Sequence, residues 1–273
     1  MLLGVGASLW FSAKYRQPCR VRWARGVWVH RYREATIPNA VLGAAPPYED
    51  FIAEARDVFL YEYEPGEGDV VFDVGAGIGA ETLLFARLVG NTGRVVALEA
   101  HPDTYLWLVR LCELNKLENV IPLQLAASDV DGEALMSDSA DYTANTLLEA
   151  NGEGIKIQTR RLDDVARDLG IQSIDFLKIN IEGAESAALS GMERLITSTR
   201  HVCVACHDFR ADSGGPETMR TKSFVQGFLR DHNFSLTTRD SPHPWIRDYF
   251  YGINARRSGG GPFTLDDPVR DSS

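Results

Sequence analysis

The stretch Asp73-Val74-Gly75-Ala76-Gly77-Ile78-Gly79 constrains this chain more than any other, because three glycines within five residues suit neither a strand interior nor a helix interior. Val70 to Val74 is a short apolar run that reads as a buried strand, and Ala80 to Leu88 carries helix formers with apolar residues at helical spacing. The glycines therefore sit in a strand-to-helix turn, where they take positive φ and let a ligand approach backbone N–H groups at a helix start. Arg94 to Leu98 reads as a second strand that ends at Glu99, 20 residues beyond Gly79. From that position a carboxylate reaches the two hydroxyls of a ribose. Loop and carboxylate together imply a crevice for an adenosine cofactor.

The spacing refines this reading. The dinucleotide fingerprint is G-x-G-x-x-G, whereas this loop reads G-x-G-x-G with Asp73 two residues before it. That form is similar to motif I of the S-adenosylmethionine (SAM) methyltransferases. A second segment, Ile174-Asp175-Phe176-Leu177-Lys178-Ile179-Asn180-Ile181-Glu182-Gly183-Ala184-Glu185, is followed by Ala188-Leu189-Ser190-Gly191. Further pieces are Gly93 to Glu99, Leu114-Asn115, Ala126-Ala127-Ser128-Asp129 and Arg161 to Val165. Over about residues 68 to 195 the chain closely resembles the FkbM family of SAM-dependent methyltransferases. The resemblance implies that Asp73, Gly75, Ala76, Gly77 and Gly79 form the loop facing the methionine part of SAM. It also implies that Glu99 takes the ribose hydroxyls, with Ala100, His101, Ser128 and Asp129 near the adenine. The family commonly has Asp where this chain has Asn180, so a role that needs a full charge there is put in doubt.

A parallel strand buried on both faces should be continuously apolar, yet Phe176, Lys178, Asn180 and Glu182 alternate with Leu177, Ile179 and Ile181. A buried lysine needs a partner, and the family's strand order sets this strand beside the one that carries Asp73; a Lys178 to Asp73 ion pair is predicted. Asn180 is expected to hold the methionine ammonium or the acceptor hydroxyl. Glu182 is the candidate for a charge-bearing catalytic role, while Glu185 suits the first turn of a helix. An alcohol acceptor must lose its proton, and His207, at a strand end beside Asp208, is the candidate general base. Asp208 would orient the ring, or bind a divalent ion together with Asn180; one aspartate and one amide make a poor magnesium site.

Composition excludes several classes. A formal net charge of −10 argues against a nucleic-acid partner, which needs clustered Lys and Arg. Leu2 to Phe11 is apolar but too short to span a bilayer and has no basic stretch before it, so no membrane span and no signal peptide are expected. Four scattered cysteines suit a reducing cytoplasm. Cys203-Val204-Ala205-Cys206-His207 matches a haem-attachment pattern, but in a strand successive side chains point to opposite faces, which separates the two thiols.

Residues 1–47 are expected to form an N-terminal extension with a basic β-hairpin around Ala24-Arg25-Gly26, its outer face capping the main sheet. Residues 48–257 would form the SAM-dependent domain, opened by a helix over 48 to 64, and 258–273 a disordered tail. Strands at 70–74, 94–99, 120–126, 155–160, 174–181 and 201–206 alternate with helices, and a helix at 217–231 precedes strands at 234–239 and 247–255. The fold expected is α/β and Rossmann-like: a seven-stranded, mostly parallel sheet with helices on both faces and an antiparallel last strand. Residues 130 to 153 read as a flap or hairpin insertion. The function expected is SAM-dependent O-methylation of a small-molecule acceptor (a sugar, lipid or secondary metabolite). A nicotinamide-dependent oxidoreductase and a non-catalytic SAM-binding protein are the alternatives. Nothing in the sequence specifies the oligomeric state.

Overall fold

Alternation of short apolar strands with amphipathic helices builds the centre of the molecule, and the computed structural model describes it over residues 2–24, 26–39, 42, 47–138, 147–148 and 154–256. In chain order the elements are α1 (Leu2–Tyr15), β1 (Arg20–Ala24), β2 (Val27–Arg31), β3 (Thr36–Asn39), α2 (Tyr48–Val58), β4 (Val70–Val74), α3 (Ala80–Val89), β5 (Arg94–Leu98), α4 (Pro102–Asn115) and β6 (Val120–Leu123). There follow β7 (Ala126–Ala127), β8 (Gly132–Met136), β9 (Leu147–Leu148), β10 (Ile155–Arg160), α5 (Leu162–Asp168), β11 (Ile174–Ile179), α6 (Glu185–Ser190) and β12 (Thr199–Ala205). Last come α7 (Asp208–Asp212), α8 (Lys222–Asp231), β13 (Phe234–Thr237), α9 (Pro244–Arg247) and β14 (Tyr249–Asn254).

The main sheet has seven strands in the order β13-β14-β12-β11-β4-β5-β6. β6, β5, β4, β11 and β12 run parallel, and β14 lies antiparallel to both of its neighbours. This is the Rossmann-like architecture expected, with its antiparallel last strand. Strand order reverses between β4 and β11, which opens a crevice at the carboxyl ends of these strands.

Alternation along each strand feeds two cores. Phe72, Val74, Leu177, Ile179, Val202 and Val204 face one layer, packed with Leu162, Leu189 and Leu229. Val71, Phe176, Cys203 and Ala205 face the other, with Phe59, Phe85 and Leu108. Cys206 belongs to the first core and Cys203 to the second, so the sheet lies between the two thiols.

Several boundaries differ from the sequence reading. The strand at 155–160 is not in the main sheet: β10 joins a second, four-stranded sheet in the order β7-β10-β8-β9. The run at 120–126 divides accordingly, because Leu123 completes the pairing with β5 while Ala126 and Ala127 pair with Thr159 and Arg160. β8 and β9 pair antiparallel within the expected insertion, and the rest of that insertion, 139–146 and 149–153, lies outside the described residues, as does the tail from 257. α2 ends at Val58 rather than at residue 64, because Phe59 and Leu60 turn into the core. The helix expected at 217–231 starts only at Lys222.

The hairpin of β1 and β2 forms as expected and gains β3 as a third antiparallel strand. It does not cap the main sheet. β3 docks instead on the helical layer, where Asn115 of α4 accepts from the Thr36 N–H at 2.9 Å and donates to the Thr36 carbonyl at 2.8 Å. An amide side chain thus imitates a neighbouring strand.

Candidate functional site

The glycine loop is held from three sides. The N–H groups of Gly75 and Ala76 both donate to the Leu98 carbonyl at 2.9 Å, tying the loop to β5. The Lys178 ammonium donates to the Gly75 carbonyl at 2.7 Å and pairs with Asp73 at 2.9 Å, both side chains being buried. Thr82 of α3 donates to the second Asp73 oxygen at 2.6 Å. The predicted Lys178 to Asp73 pair is therefore present, and the two residues are in register on adjacent strands. Burial lowers the affinity of Lys178 for its proton, but the charges of Asp73 and Glu81 outweigh it and the pKa is raised. Lys178 is a fixed cation.

Gly75 has φ +78°, and a Cβ there would lie 2.0 Å from the Asn180 carbonyl, so the turn after β4 and the end of β11 approach each other only through a glycine. Gly79 also has positive φ, +91°, and a Cβ there would meet the Leu108 side chain of α4 at 2.7 Å.

Glu99 leaves the end of β5 beside the loop. Its two carboxylate oxygens accept from the N–H groups of Gly77 at 2.9 Å and His101 at 2.8 Å. Burial pushes its pKa up, against these two N–H groups, which favour the charged form. Each oxygen keeps a lone pair for a further donor.

Between the loop and the end of β11 lies a cleft of about 390 Å³, within the range of about 300–1,000 Å³ usual for small-molecule sites. Gly75 to Ile78, Leu98 to Ala100 and Leu125 to Ala127 line one half. Phe59, Lys178, Asn180, Glu182, Trp245 and Tyr249 line the other. A nucleoside fits the first half: it offers a carboxylate fixed by N–H groups, a glycine turn and an apolar wall. Among the described residues the buried Nδ1 of His101 has no hydrogen-bond partner.

Beyond Asn180 the backbone is strained. Glu182 has φ +48° and Gly183 φ +94°, and a non-glycine residue in that region is uncommon. The turn brings the Glu182 carboxylate 3.3 Å from Nε2 of His207 and 2.7 Å from Nε of Arg210. The other His207 nitrogen, Nδ1, lies 2.8 Å from Glu185, whose second oxygen accepts from Thr221 at 2.9 Å. Burial would lower the His207 pKa, but hydrogen bonds and charge from Glu182 and Glu185 raise it to about 9.

The expected site residues separate into two groups. Gly75, Ala76, Gly77, Glu99, Ala100, Asn180 and Glu182 line the cleft. Asp73, Gly79, His101, Ser128, Asp129, His207 and Asp208 do not. Asp73 is spent on Lys178 and Thr82. Ser128 donates to Asp129 at 3.1 Å beside the second sheet. The general-base assignment of His207 is corrected: both ring nitrogens are engaged by carboxylates and the ring holds its proton at neutral pH, so no lone pair is free. Asp208 neither orients that ring nor pairs with Asn180. Its carboxylate accepts from the N–H groups of Thr221 and Lys222 at 3.0 Å each and caps α8. Glu185 orients the ring instead. Among the described residues no group of three His, Cys, Asp or Glu is placed to hold a metal ion.

Sequence reasoning missed Phe59, Arg210, Trp245 and Tyr249, which come from elements with no motif. The one signal was a tryptophan, Trp245, preceded by Pro242 and Pro244 just before the last strand.

Comparison with known proteins gives a consistent picture. The profile of the methyltransferase FkbM domain matches residues 73–236. The 31-O-demethyl-FK506 methyltransferase FkbM of Streptomyces tacrolimicus is 28% identical over 259 residues, 83% of this chain and 95% of its own length. Hexuronic acid methyltransferase AglP of Haloferax volcanii is 29% identical over 161 residues, 58% of this chain and 64% of its own length. The 2-O-methyltransferase NoeI of Sinorhizobium fredii is 40% identical over 149 residues, 49% of this chain and 61% of its own length. The crystal structure of methyltransferase FkbM from Methylobacillus flagellatus superposes with a TM-score of 0.51 at 15% identity, covering 76% of this chain and 48% of that one.

Proposed function

This chain belongs to the FkbM methyltransferase family, and from that premise we propose that it transfers the methyl group of SAM to a hydroxyl of a small-molecule acceptor. Glu99 carries the cofactor half of the reading. Its carboxylate is set in place by two backbone N–H groups, one of them from the glycine turn itself, the arrangement a ribose diol needs. When bound, SAM supplies an electrophilic methyl group on a sulfonium, and the chain has only to hold acceptor and methyl in line.

The acceptor would sit against Phe59, Trp245 and Tyr249, with Asn180 and Glu182 at the junction of the two halves. Glu182 is the group we assign to receive the acceptor's hydroxyl hydrogen, because it lines the cleft and a carboxylate can act as a proton acceptor. His207 and Arg210 are positioning residues: they clamp Glu182 in its strained turn and touch no substrate. Asn180, where the family commonly has Asp, offers an amide oxygen to the methionine ammonium or the acceptor hydroxyl. Transfer to oxygen is supported by the names of two relatives, one acting at a 31-O position and one at a 2-O position.

Calorimetric titration with SAM and S-adenosylhomocysteine, with NADH as control, tests the cofactor. Micromolar binding of both adenosyl ligands is expected; a response to NADH alone would favour the oxidoreductase reading. Glu182→Gln then tests the acceptor half: SAM affinity should hold while turnover on an acceptor that the wild type methylates drops by roughly 10² to 10⁴. Unchanged turnover would remove Glu182 from the reaction.

A further inference from the structure

The N-terminal helix is mounted the wrong way round for a helix in water. Gly4, Ser8 and Ser12 lie at four-residue intervals and face β1, the edge strand of the three-stranded sheet. The Ser8 hydroxyl oxygen accepts from the Val21 N–H at 2.8 Å and the Ser12 hydroxyl oxygen from the Cys19 N–H at 2.9 Å. Each hydroxyl also donates back to its own helix, to the Gly4 and Ser8 carbonyls. A Cβ at Gly4 would lie 2.9 Å from the Val21 carbonyl oxygen, so a small residue is needed for this approach. Phe11 completes the seat, buried against His30 at 4.7 Å between ring centres. The Val21 N–H on the free edge of β1 and the Cys19 N–H just before it are thereby satisfied, and α1 cannot roll over without losing those hydrogen bonds.

The consequence is an outer arc made of Leu3, Val5, Gly6, Leu9, Trp10 and Ala13, with no polar side chain in it. Leu3 and Leu9 are about 70% exposed and Trp10 54%, and Trp23 of β1 adds 56%. An outer helical face is ordinarily charged or polar. In the same segment Lys14, Arg16, Arg20, Arg22 and Arg31 are exposed, Arg33 is paired with Glu34 at 3.6 Å, and the Lys14 ammonium lies over the Trp10 ring at 4.9 Å. Residues 1–33 contain seven Lys and Arg and no Asp or Glu, in a chain whose net charge is −10.

We propose that the α1–β1 face docks on the surface of an anionic lipid bilayer, with Leu3, Val5, Leu9 and Trp10 inserted among the acyl chains and the flanking Lys and Arg on the lipid headgroups. An apolar arc bordered by tryptophan and basic residues is the pattern of a helix lying in the membrane interface. At 14 residues α1 is only about 21 Å long and lies on the bilayer rather than crossing it. Charge selects this occupant over the others. A second copy would bring the same basic segment against itself, and a nucleic acid would leave the leucines uncovered. The proposal does not depend on the methyl-transfer reading.

Co-sedimentation of the full chain tests it, with vesicles of phosphatidylcholine alone and of phosphatidylcholine mixed with phosphatidylglycerol. Binding to the mixed vesicles should exceed binding to neutral ones by about tenfold or more and weaken as salt is raised. The double variant Leu9→Ser, Trp10→Ser should lose binding to the mixed vesicles, and Arg20→Glu with Arg22→Glu should abolish the preference for anionic lipid. All four side chains are exposed, so both variants should keep the wild-type circular dichroism and melting temperature. No binding to mixed vesicles, or equal binding by the Leu9/Trp10 variant, overturns the proposal. So does sedimentation of the wild type as a dimer that the Leu9/Trp10 variant converts to monomer, since a second copy then covers the arc. Retention on duplex RNA without retention on vesicles overturns it too.

Discussion

Glu99 is the residue whose role reads most directly from sequence to chemistry. A carboxylate at the end of the second strand, gripped by the N–H groups of Gly77 and His101, is already oriented before any ligand arrives. Glu99→Ala should weaken SAM binding by roughly 1.5 to 3 kcal/mol, the usual contribution of hydrogen bonds to a charged group; calorimetry reads this directly, and an unchanged affinity would take Glu99 out of the site. His207 makes the contrasting case. Its pKa is raised to about 9 by Glu182 and Glu185 in spite of burial, against about 6.5 in an unfolded chain. The folded chain therefore holds the proton more tightly. That stabilisation, at most about 3 kcal/mol, is complete below pH 6.5 and is lost as pH rises through 9. Urea unfolding of the wild type should show stability falling across this window, and His207→Gln should flatten the fall. The sequence marked His207 as chemically important but assigned it to proton abstraction, because nothing local reveals that Glu182 and Glu185 arrive from the neighbouring strand end to occupy both nitrogens.

Elements were legible where period and punctuation agree. β4, the glycine turn, α3 and β5 fall within a residue of the sequence reading, since an apolar run, three glycines and a helix pattern leave one arrangement. The end of α2 and the start of α8 were not legible, because each is decided by a partner remote in sequence. Asp208, 13 and 14 residues before them, caps the N–H groups of Thr221 and Lys222. Asp208→Ala should lower stability by about 1 kcal/mol, the usual loss on removing a cap, with SAM affinity unchanged; chemical denaturation and calorimetry check the two halves of that statement. β10 shows the same limit for strands. Its pattern predicts a strand but not a sheet, and only its pairing with β7 and β8 takes it out of the main one.

The whole molecule joins a large three-layered α/β body to a smaller N-terminal module. The module's core of Phe11, Cys19, Val21 and Tyr32 is far smaller than the two that flank the main sheet. All four cysteines are buried as free thiols, and burial raises the pKa of each. Thiol labelling therefore reports opening. Cys19 should react at lower denaturant concentrations than Cys203 and Cys206, because a small core opens locally before a large one; simultaneous labelling of all four would show a single cooperative unit.

The sequence determined the glycine turn, a carboxylate at the end of β5 and the alternation of strands and helices, and, with the strand order that the family resemblance implies, the Lys178 to Asp73 pair. Each follows from short-range rules: glycine's backbone freedom, hydrophobic period, and the need of a buried charge for a counter-charge. Tertiary structure decided which polar residues share a space. It engaged both nitrogens of His207, diverted Asp208 to a helix end, and built the far half of the cleft from Phe59, Trp245 and Tyr249 of three separate elements. It also turned Ser8 and Ser12 of α1 inward, where they accept from the N–H groups of Val21 and Cys19, and so left Leu3 and Leu9 outward.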